Sequence, residues 1–292
     1  MRGGLASCTC WLTRDIPDGA WPLLTLKCST ISVLGKSLSS SLAIQTSSLT
    51  RDFGSFRAVD QIDLRVASGS FYGFLGPNGA GKSTTIKMLT GLMAPTAGSM
   101  RILGQDVSDP SRSLGVKRRV GVVPENLALF DNLTAREYLT FVGRMYLLPK
   151  PIIRERCEEL LELMDLANEE KKLTLEFSHG MKKKLALAAA LLPNPDLLFL
   201  DEPFEGVDAV ASRVLRDMLK RCVGRGATIF LTSHVLEIVE KLCTDVGIIA
   251  RGRLVHQGSM DELRRDGSLE DKFLAIVGEG HHEVQTLSWL EG

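Results

Sequence analysis

The chain has 292 residues, and its 44% hydrophobic and 24% charged content is ordinary for a soluble globular protein. Its 35 basic residues balance 35 acidic ones, so no nucleic-acid partner is expected. The longest apolar run in the body spans residues 185–192, far short of the ~20 residues that cross a bilayer. The six cysteines are scattered, and we interpret them as reduced cytosolic thiols.

The first 42 residues differ from the rest of the chain. They contain two of the three tryptophans, half of the six cysteines and a serine cluster, and no hydrophobic period persists through them. Lys27 interrupts the one apolar stretch that could be a signal peptide. We expect residues 1–42 to form a disordered N-terminal extension, for which a start codon set too early is one explanation.

Ordered sequence is expected to begin near Ala43. Residues 58–66 alternate apolar and polar side chains, which predicts one half-buried strand, and the apolar run Phe71–Leu75 predicts a buried strand. Phe53 has no evident helix or strand partner, and it has two interpretations. It is either a core residue or an aromatic surface on which an adenine ring stacks.

A glycine-rich segment follows the buried strand and fits the phosphate-binding pattern G-x-x-x-x-G-K-[S/T]. Residues 83–92 have helical spacing, so the segment lies between a strand and a helix. Glycines let successive N–H groups face an anion, and the helix N-terminus adds partial positive charge. Lys82 is expected to reach the β- and γ-phosphates, and Ser83 to bind Mg²⁺. This segment, the P-loop, is Gly76, Pro77, Asn78, Gly79, Ala80, Gly81, Lys82, Ser83 and Thr84.

The next region is rich in helix signals. Val120–Pro124 predicts a strand, and Glu125 follows it in a loop. Thr134 has the capping-box pattern that starts a helix, and Pro151 suits the first turn of the following one. We predict an inserted helical subdomain over about residues 125–195.

The signature segment, Phe177-Ser178-His179-Gly180-Met181, precedes a strongly helical run. Ser178 is a good N-cap, so the pattern predicts a helix N-terminus with a small residue and a glycine exposed. A capped helix alone needs no further function. The lysines at residues 182–184 are most simply a solvated face of this helix.

Two carboxylates, Asp201 and Glu202, follow the apolar run Leu197–Leu200. A buried strand that delivers acids at its C-terminal edge places them where parallel α/β sheets bind ligands. Beside a P-loop, the first acid is expected to hold Mg²⁺ and the second to activate the attacking water. His234 follows the next predicted strand, Thr228–Leu231, and can donate a hydrogen bond to a γ-phosphate.

The order of these motifs resembles that of the ATP-binding subunits of ATP-binding cassette (ABC) transporters, over about Ala43 to Val277. The resemblance implies a P-loop NTPase of the α/β class. Its core sheet would be mixed and mostly parallel, with an N-terminal antiparallel β subdomain and the inserted helical subdomain. ATP and Mg²⁺ would be the cofactors, and two cassettes would close head to tail around two ATP molecules. Residues 278–292 would form a short C-terminal tail.

The resemblance also assigns roles to single residues. The P-loop is similar to the Walker A motif, Phe53 to the adenine-stacking aromatic and His234 to the switch histidine. Asp201 resembles the Walker B aspartate, which holds Mg²⁺, and Glu202 the catalytic base. The remaining assignments are Ser178, His179 and Gly180 as contacts to the ATP of the second cassette, and Asp208, in the loop Gly206–Asp208, as part of the connection between the two sites.

Two positions depart from the family pattern. Glu125 stands where the family has the glutamine of its Q-loop. A carboxylate at this position can still bind Mg²⁺ or orient water beside ATP, although its charge differs. In the signature segment, His179 replaces the first glycine and Met181 the glutamine, while Ser178 and Gly180 are kept.

The resemblance implies a subunit that hydrolyses ATP to power transport through a separate transmembrane permease, at the cytoplasmic face of the cell membrane. Residues 268–274 look like the end of ABC-2-type exporter subunits, which favours export of a substrate that the chain does not identify. The alternative is a soluble mechanical ATPase acting on ribosomes or DNA. A non-hydrolysing regulator is disfavoured by the presence of Lys82, Asp201, Glu202 and His234.

Overall fold

The computed structural model describes residues 41–265 and 268–277. The predicted tail and residues 1–40 of the predicted extension lie outside the described residues. The strands are β1 (Leu42–Phe53), β2 (Phe56–Ile62), β3 (Arg65–Ala67), β4 (Phe71–Leu75), β5 (Ala97–Ile102), β6 (Gln105–Asp106), β7 (Val120–Val123), β8 (Leu197–Asp201), β9 (Thr228–Thr232), β10 (Asp245–Ala250) and β11 (Arg253–Ser259). The helices are α1 (Lys82–Leu89), α2 (Pro110–Lys117), α3 (Ala135–Met145), α4 (Lys150–Leu163), α5 (His179–Leu191), α6 (Ala209–Gly224), α7 (Leu236–Leu242), α8 (Met260–Arg265) and α9 (Leu269–Val277).

The larger sheet has the strand order β11-β10-β4-β9-β8-β7. Five of these strands are parallel, and β11 pairs with β10 in the antiparallel sense at one edge. Every residue of β4, β8 and β9 is buried, as expected of parallel strands that are covered on both faces. The sheet confirms the predicted mixed, mostly parallel core and places the ends of β4, β9 and β8 side by side.

The smaller sheet is antiparallel, in the order β2-β1-β5-β6, and β3 also pairs with β1. This arrangement confirms the predicted antiparallel subdomain. The single strand predicted over residues 58–66 is wrong, because the chain breaks between β2 and β3. At the break, the Thr46 hydroxyl donates to the Ile62 carbonyl and accepts from the Leu64 N–H, both at 2.7 Å. A side chain thus takes the place of ladder hydrogen bonds at this point.

Two hydrophobic cores hold these elements together. In the first core, the helices α3, α4, α5, α6 and α7 pack on the larger sheet. The second core includes residues of both sheets and of α1. In the second core, the Phe230 ring on β9 stacks on Tyr72 at 5.4 Å between centroids. It also lies 5.2 Å from Phe74 on β4 and 5.6 Å from Phe199 on β8. The loops that leave β4, β8 and β9 therefore rise from a rigidly packed base.

Between β7 and β8 the chain forms α3, α4, α5 and two 3₁₀ turns, at Ala167–Glu169 and Thr174–Glu176. The predicted capping box is confirmed, since Thr134 Oγ1 accepts from the Glu137 N–H and Glu137 Oε2 accepts from the Thr134 N–H. Pro151 lies in the first turn of α4, as predicted. The boundaries of a helical subdomain stay a prediction. In the described part of the chain, no helix combines the length and apolarity that crossing a membrane requires.

Candidate active site

An open cavity of about 410 Å³ lies where β4, β7 and β8 end. It brings together residues that are far apart in the sequence: two aromatic side chains, much of the P-loop and three carboxylates. This position agrees with the rule that parallel sheets bind ligands outside the carboxyl ends of their strands. The lining residues are Phe53, Phe56, Ala58, Asn78, Gly79, Gly81, Lys82, Ser83, Thr84, Glu125, Asp201 and Glu202.

The P-loop backbone needs glycine at specific points. Gly81 has a φ of 108°, and a Cβ there would lie 2.6 Å from the Ala58 carbonyl oxygen. A Cβ on Gly76 would lie 2.3 Å from the Ile249 carbonyl oxygen. Only glycine fits such contacts without a backbone shift. The loop is therefore pressed against β2 and β10, with the N-terminus of α1 at its end.

Lys82 is the first residue of α1 and is 8% exposed. Its ammonium donates hydrogen bonds to the carbonyls of Gly76, at 2.7 Å, and Pro77, at 3.2 Å. The cation is thus held over the P-loop by the loop's own carbonyl groups. An anionic phosphate placed at the N-terminus of α1 would meet this charge together with the helix dipole.

The side chains of Ser83 and Glu125, both predicted to bind Mg²⁺, are in contact in the cavity. The Ser83 hydroxyl donates to Glu125 Oε2 at 3.3 Å. Asp201 lines the same cavity at the end of β8 and is 4% exposed. Hydroxyl and carboxylate oxygens are the donors that Mg²⁺ prefers, so this set fits the ion. The described residues contain no group of three or more His, Cys, Asp or Glu residues placed to hold a metal ion.

Thr232 joins the two acids that end β8, a role that sequence reasoning missed. Its hydroxyl donates to Asp201 Oδ1 and accepts from the Glu202 N–H at 3.2 Å. Asp201 and Thr232 are register partners between β8 and β9. The available signal was the position of Thr232, which ends a strand two residues before His234.

Glu202 has a left-handed backbone, with a φ of 49°. A residue other than glycine in this region stores strain, and such strain persists where the surrounding structure enforces it. His234 contacts the Glu202 carboxylate twice. Its ring atom Nδ1 lies 3.0 Å from Oε2, and its backbone N–H donates to the same oxygen at 3.3 Å. The His234 side chain is 57% exposed. The structure thus brings the two residues predicted to be catalytic into direct contact.

The aromatic end of the cavity contains more than the predicted Phe53. The Phe53 side chain is 44% exposed, and the guanidinium of Arg51 lies 4.7 Å from its ring centroid. Phe56, which sequence reasoning missed, lines the cavity and is 63% exposed. Such exposure excludes the interpretation of Phe53 as a core residue. One face of its ring interacts with a cation, which leaves the rest of the exposed ring area for a base.

The signature segment lies apart from this cavity. Ser178 caps α5, as predicted, and its hydroxyl accepts from the Met181 N–H at 3.3 Å. Ser178 and His179 are exposed, and neither these two residues nor Gly180 is among those that line the cavity. Within the described part of the chain, the structure therefore does not unite the signature segment with the P-loop.

Gly206 and Asp208 come just before α6, and Gly206 lies against the signature segment. A Cβ on Gly206 would lie 2.7 Å from His179 Cδ2, so the imidazole packs directly on this glycine. Asp208 caps α6 and accepts from the Ala211 N–H at 2.9 Å. This backbone hydrogen bond lowers the pKa of the Asp208 carboxyl.

Lys183 contradicts the prediction of a solvated lysine face. It is fully buried, while its neighbours Lys182 and Lys184 are partly exposed. The reason is helix phase, because residue 183 points to the side of α5 that also carries Leu187 into the core. Burial lowers the pKa of Lys183, and the charge of the Glu205 carboxylate is the largest of the influences that oppose this shift.

Comparison with known proteins identifies the family. Residues 59–205 match the protein family described as ABC transporter. The bacitracin transport ATP-binding protein BcrA of Bacillus licheniformis is 40% identical over 244 residues, which cover 81% of this chain and 78% of that protein. The Nod factor export ATP-binding protein I of Paraburkholderia xenovorans (strain LB400) is 39% identical over 225 residues, 76% of this chain and 72% of that protein.

A solved structure, that of an ATP binding subunit of an ABC transporter, has the same fold. It matches with a TM-score of 0.75 at 30% identity and covers 81% of this chain and 99% of its own. The family match over residues 59–205 spans the P-loop, the acid pair and the signature segment, which are among the motifs on which the resemblance rested. The chain therefore belongs to the ABC transporter family, as an ATP-binding subunit.

Proposed function

We propose that the cavity binds ATP with the adenine ring at Phe53 and the phosphates on the P-loop. The family's activity is ATP hydrolysis that powers transport. The observation that carries the proposal is the convergence of an aromatic pair, a phosphate cradle and three carboxylates on one cavity. Lys82 would leave its two carbonyl partners for the β- and γ-phosphates, which are stronger acceptors because they are charged.

Mg²⁺ would be held by the Ser83 hydroxyl, by Asp201 and, through its carboxylate, by Glu125. When bound, the ion neutralises charge that develops on the phosphates. Thr232 orients the Asp201 carboxylate for this purpose, as residues behind metal ligands commonly do. Glu125 adds a negative charge where the family has a neutral glutamine, so we expect this site to bind the free cation more tightly than a glutamine site would.

Glu202 is the proposed general base, and His234 the residue that orients it. The carboxylate lines the cavity, is 8% exposed and has one oxygen engaged by His234. The other oxygen can accept a proton from a water that attacks the γ-phosphate. The strained backbone at Glu202 directs the side chain from the end of β8 into the cavity.

The substitution Glu202→Gln tests this role. It keeps the shape of the side chain but removes its basicity, so ATP binding should persist while turnover falls by about 100-fold or more. Binding is measured with a fluorescent ATP analogue and turnover by phosphate release. Glu237→Gln, at an exposed position on α7, is the matched control and should hydrolyse ATP at the normal rate. Undiminished turnover in Glu202→Gln would refute the assignment.

A second ABC cassette is the proposed source of the missing half of the site. Ser178, His179 and Gly180 present a helix N-terminus to solvent rather than to the cavity of their own chain. A helix N-terminus is a natural anion site. We therefore infer that these residues contact the ATP held by a second cassette, either another copy of this chain or a related subunit.

A separate transmembrane permease is the proposed partner, which would place the chain at the cytoplasmic face of the membrane. Exposed apolar side chains cluster on and around α3, next to the loop that carries Glu125: Phe130, Phe141, Met145 and Leu147. Phe130 and Phe141 pack edge to face at 5.1 Å. An apolar surface of this kind fits a protein partner. Because it lies next to the loop that carries Glu125, movement of the partner would be transmitted to Glu125.

The relatives that are named for bacitracin transport and Nod factor export support export in particular, while the substrate stays open. A pull-down from detergent-solubilised membranes tests the partner. The proposal predicts recovery of a protein with many membrane spans, and substitution of Phe141 and Met145 by serine should reduce that recovery. Recovery of ribosomes or DNA instead would favour the mechanical ATPase.

A further inference from the structure

The buried lysine of the signature helix has no role in the site as described so far. The Lys183 side chain is fully buried, and its ammonium has no hydrogen-bond partner in the described part of the chain. An unpaired buried ammonium costs several kcal/mol unless nearby negative charge compensates it. A position that keeps such a group therefore calls for a specific counter-charge.

The candidate counter-charge is Glu205. Glu205 precedes Gly206, on which the first turn of α5 packs, and its charge raises the pKa of Lys183 more than those of Asp201, Glu202 and Glu125 do. Glu205 is exposed, unlike the two acids that end β8, so its side chain has freedom to move. A charge-assisted hydrogen bond between an ammonium and a carboxylate is among the stronger polar contacts in proteins.

The backbone around Glu205 links it to the catalytic acid. The Glu205 N–H donates to the Glu202 carbonyl at 3.3 Å, so the two residues share one turn. The first turn of α5 packs on the next residue, since a Cβ on Gly180 would lie 3.0 Å from the Gly206 carbonyl oxygen. His179, Gly180 and Lys183 thus place one face of α5 against the segment 205–206.

We propose that Lys183 is a positioning residue for ATP hydrolysis, whose ammonium pairs with the Glu205 carboxylate and fixes the turn 202–206 against the signature helix. The pair connects the part of the chain that contacts ATP in the second cassette with the turn that carries the base of its own site. This inference rests on the proposed role of Glu202. In the structure described here Glu205 is exposed and Lys183 is unpaired, so the proposal requires the pair to form when the turn is seated for reaction.

A double-mutant cycle tests the proposal. Lys183→Met, Glu205→Gln and the double variant are compared with the wild type for kcat and for the KM of ATP. Each single change should lower kcat by about 10- to 100-fold through misplacement of the base, with the KM of ATP unchanged. The double variant should be no slower than the slower single variant, since both changes break the same contact.

Lys182→Met is the matched control on the same helix, and it should keep the wild-type kcat because Lys182 is partly exposed and pairs with Asp131 at 3.8 Å. Lys183→Met removes a buried unpaired charge, so its melting temperature should not fall. Glu205→Gln changes an exposed side chain, so its effect on kcat cannot come from lost core packing.

The proposal is overturned if Glu205→Gln turns over at the wild-type rate, or if the two single effects multiply in the double variant. If Glu202→Gln keeps the wild-type turnover while the double-mutant cycle gives the expected result, only the assignment of Glu202 as the base is refuted.

Discussion

At the scale of single residues, the site depends on side chains that hold other side chains. Thr232 contacts both acids at the end of β8, and His234 contacts one of them. The acid pair and His234 could be predicted because each follows an apolar strand in the sequence. Thr232 and Lys183 could not, since strand register selects the first and helix phase the second, and neither is visible in the residue type.

Thr232→Val is expected to lower ATP turnover by about 10- to 100-fold. Valine has the same shape but cannot donate to Asp201 or accept from the Glu202 backbone. The Mg²⁺ concentration for half-maximal turnover should rise at the same time. Thr228→Val is the matched control, because Thr228 lies at the other end of β9 and its hydroxyl accepts from Gly69. Equal losses in both variants would show that Thr232 acts through stability alone.

At the scale of elements, helix starts position the functional segments. The caps Thr134 and Ser178 could be predicted from the sequence, because N-cap chemistry is local. The cap that Asp208 forms on α6 was missed. The break between β2 and β3 was not visible, because it depends on Thr46, which is distant in sequence. Local signals therefore predict where elements begin, while tertiary contacts decide where a strand is interrupted.

Thr134→Ala should lower the free energy of unfolding by about 1 kcal/mol, since it removes the acceptor for the Glu137 N–H. Urea unfolding followed by circular dichroism measures the change. The residue lies on the start of α3, away from the residues that line the cavity. ATP binding at low temperature should therefore stay normal, and a loss of binding would mean that α3 is coupled to the site.

Glu137→Gln should make stability less sensitive to acid. Hydrogen bonds from the Thr134 N–H and hydroxyl lower the pKa of Glu137 below its ordinary value of 4.5. The contribution of the charged form is therefore complete above that value and is lost as the pH falls through the lowered pKa of the folded state. Unfolding free energies measured from pH 7 to pH 3 should fall less steeply in the variant. Identical slopes would contradict the assignment.

At the scale of the whole molecule, we propose that the chain carries two halves of different sites. The cavity is lined by much of the P-loop, the acids and the aromatic pair, while the exposed signature residues Ser178 and His179 are not among its lining residues. The sequence patterns located β4, β7, β8 and β9, yet they could not predict the order β11-β10-β4-β9-β8-β7, because order depends on crossovers between remote segments. The absence of the signature segment from the residues that line the cavity supports the proposed second cassette.

Mixing two inactive variants of the purified chain tests this account most directly. Lys82→Ala removes the phosphate contact of the P-loop, and Ser178→Asn keeps the helix cap but removes the hydroxyl of the signature segment. Each variant alone should hydrolyse ATP far more slowly than the wild type. In an equal mixture, half of the dimers carry one intact composite site, so turnover should recover to roughly a quarter of the wild-type rate. With a purified wild-type chain that hydrolyses ATP on its own, a mixture as inactive as its separate components, or a Ser178→Asn variant with the wild-type rate, would contradict it.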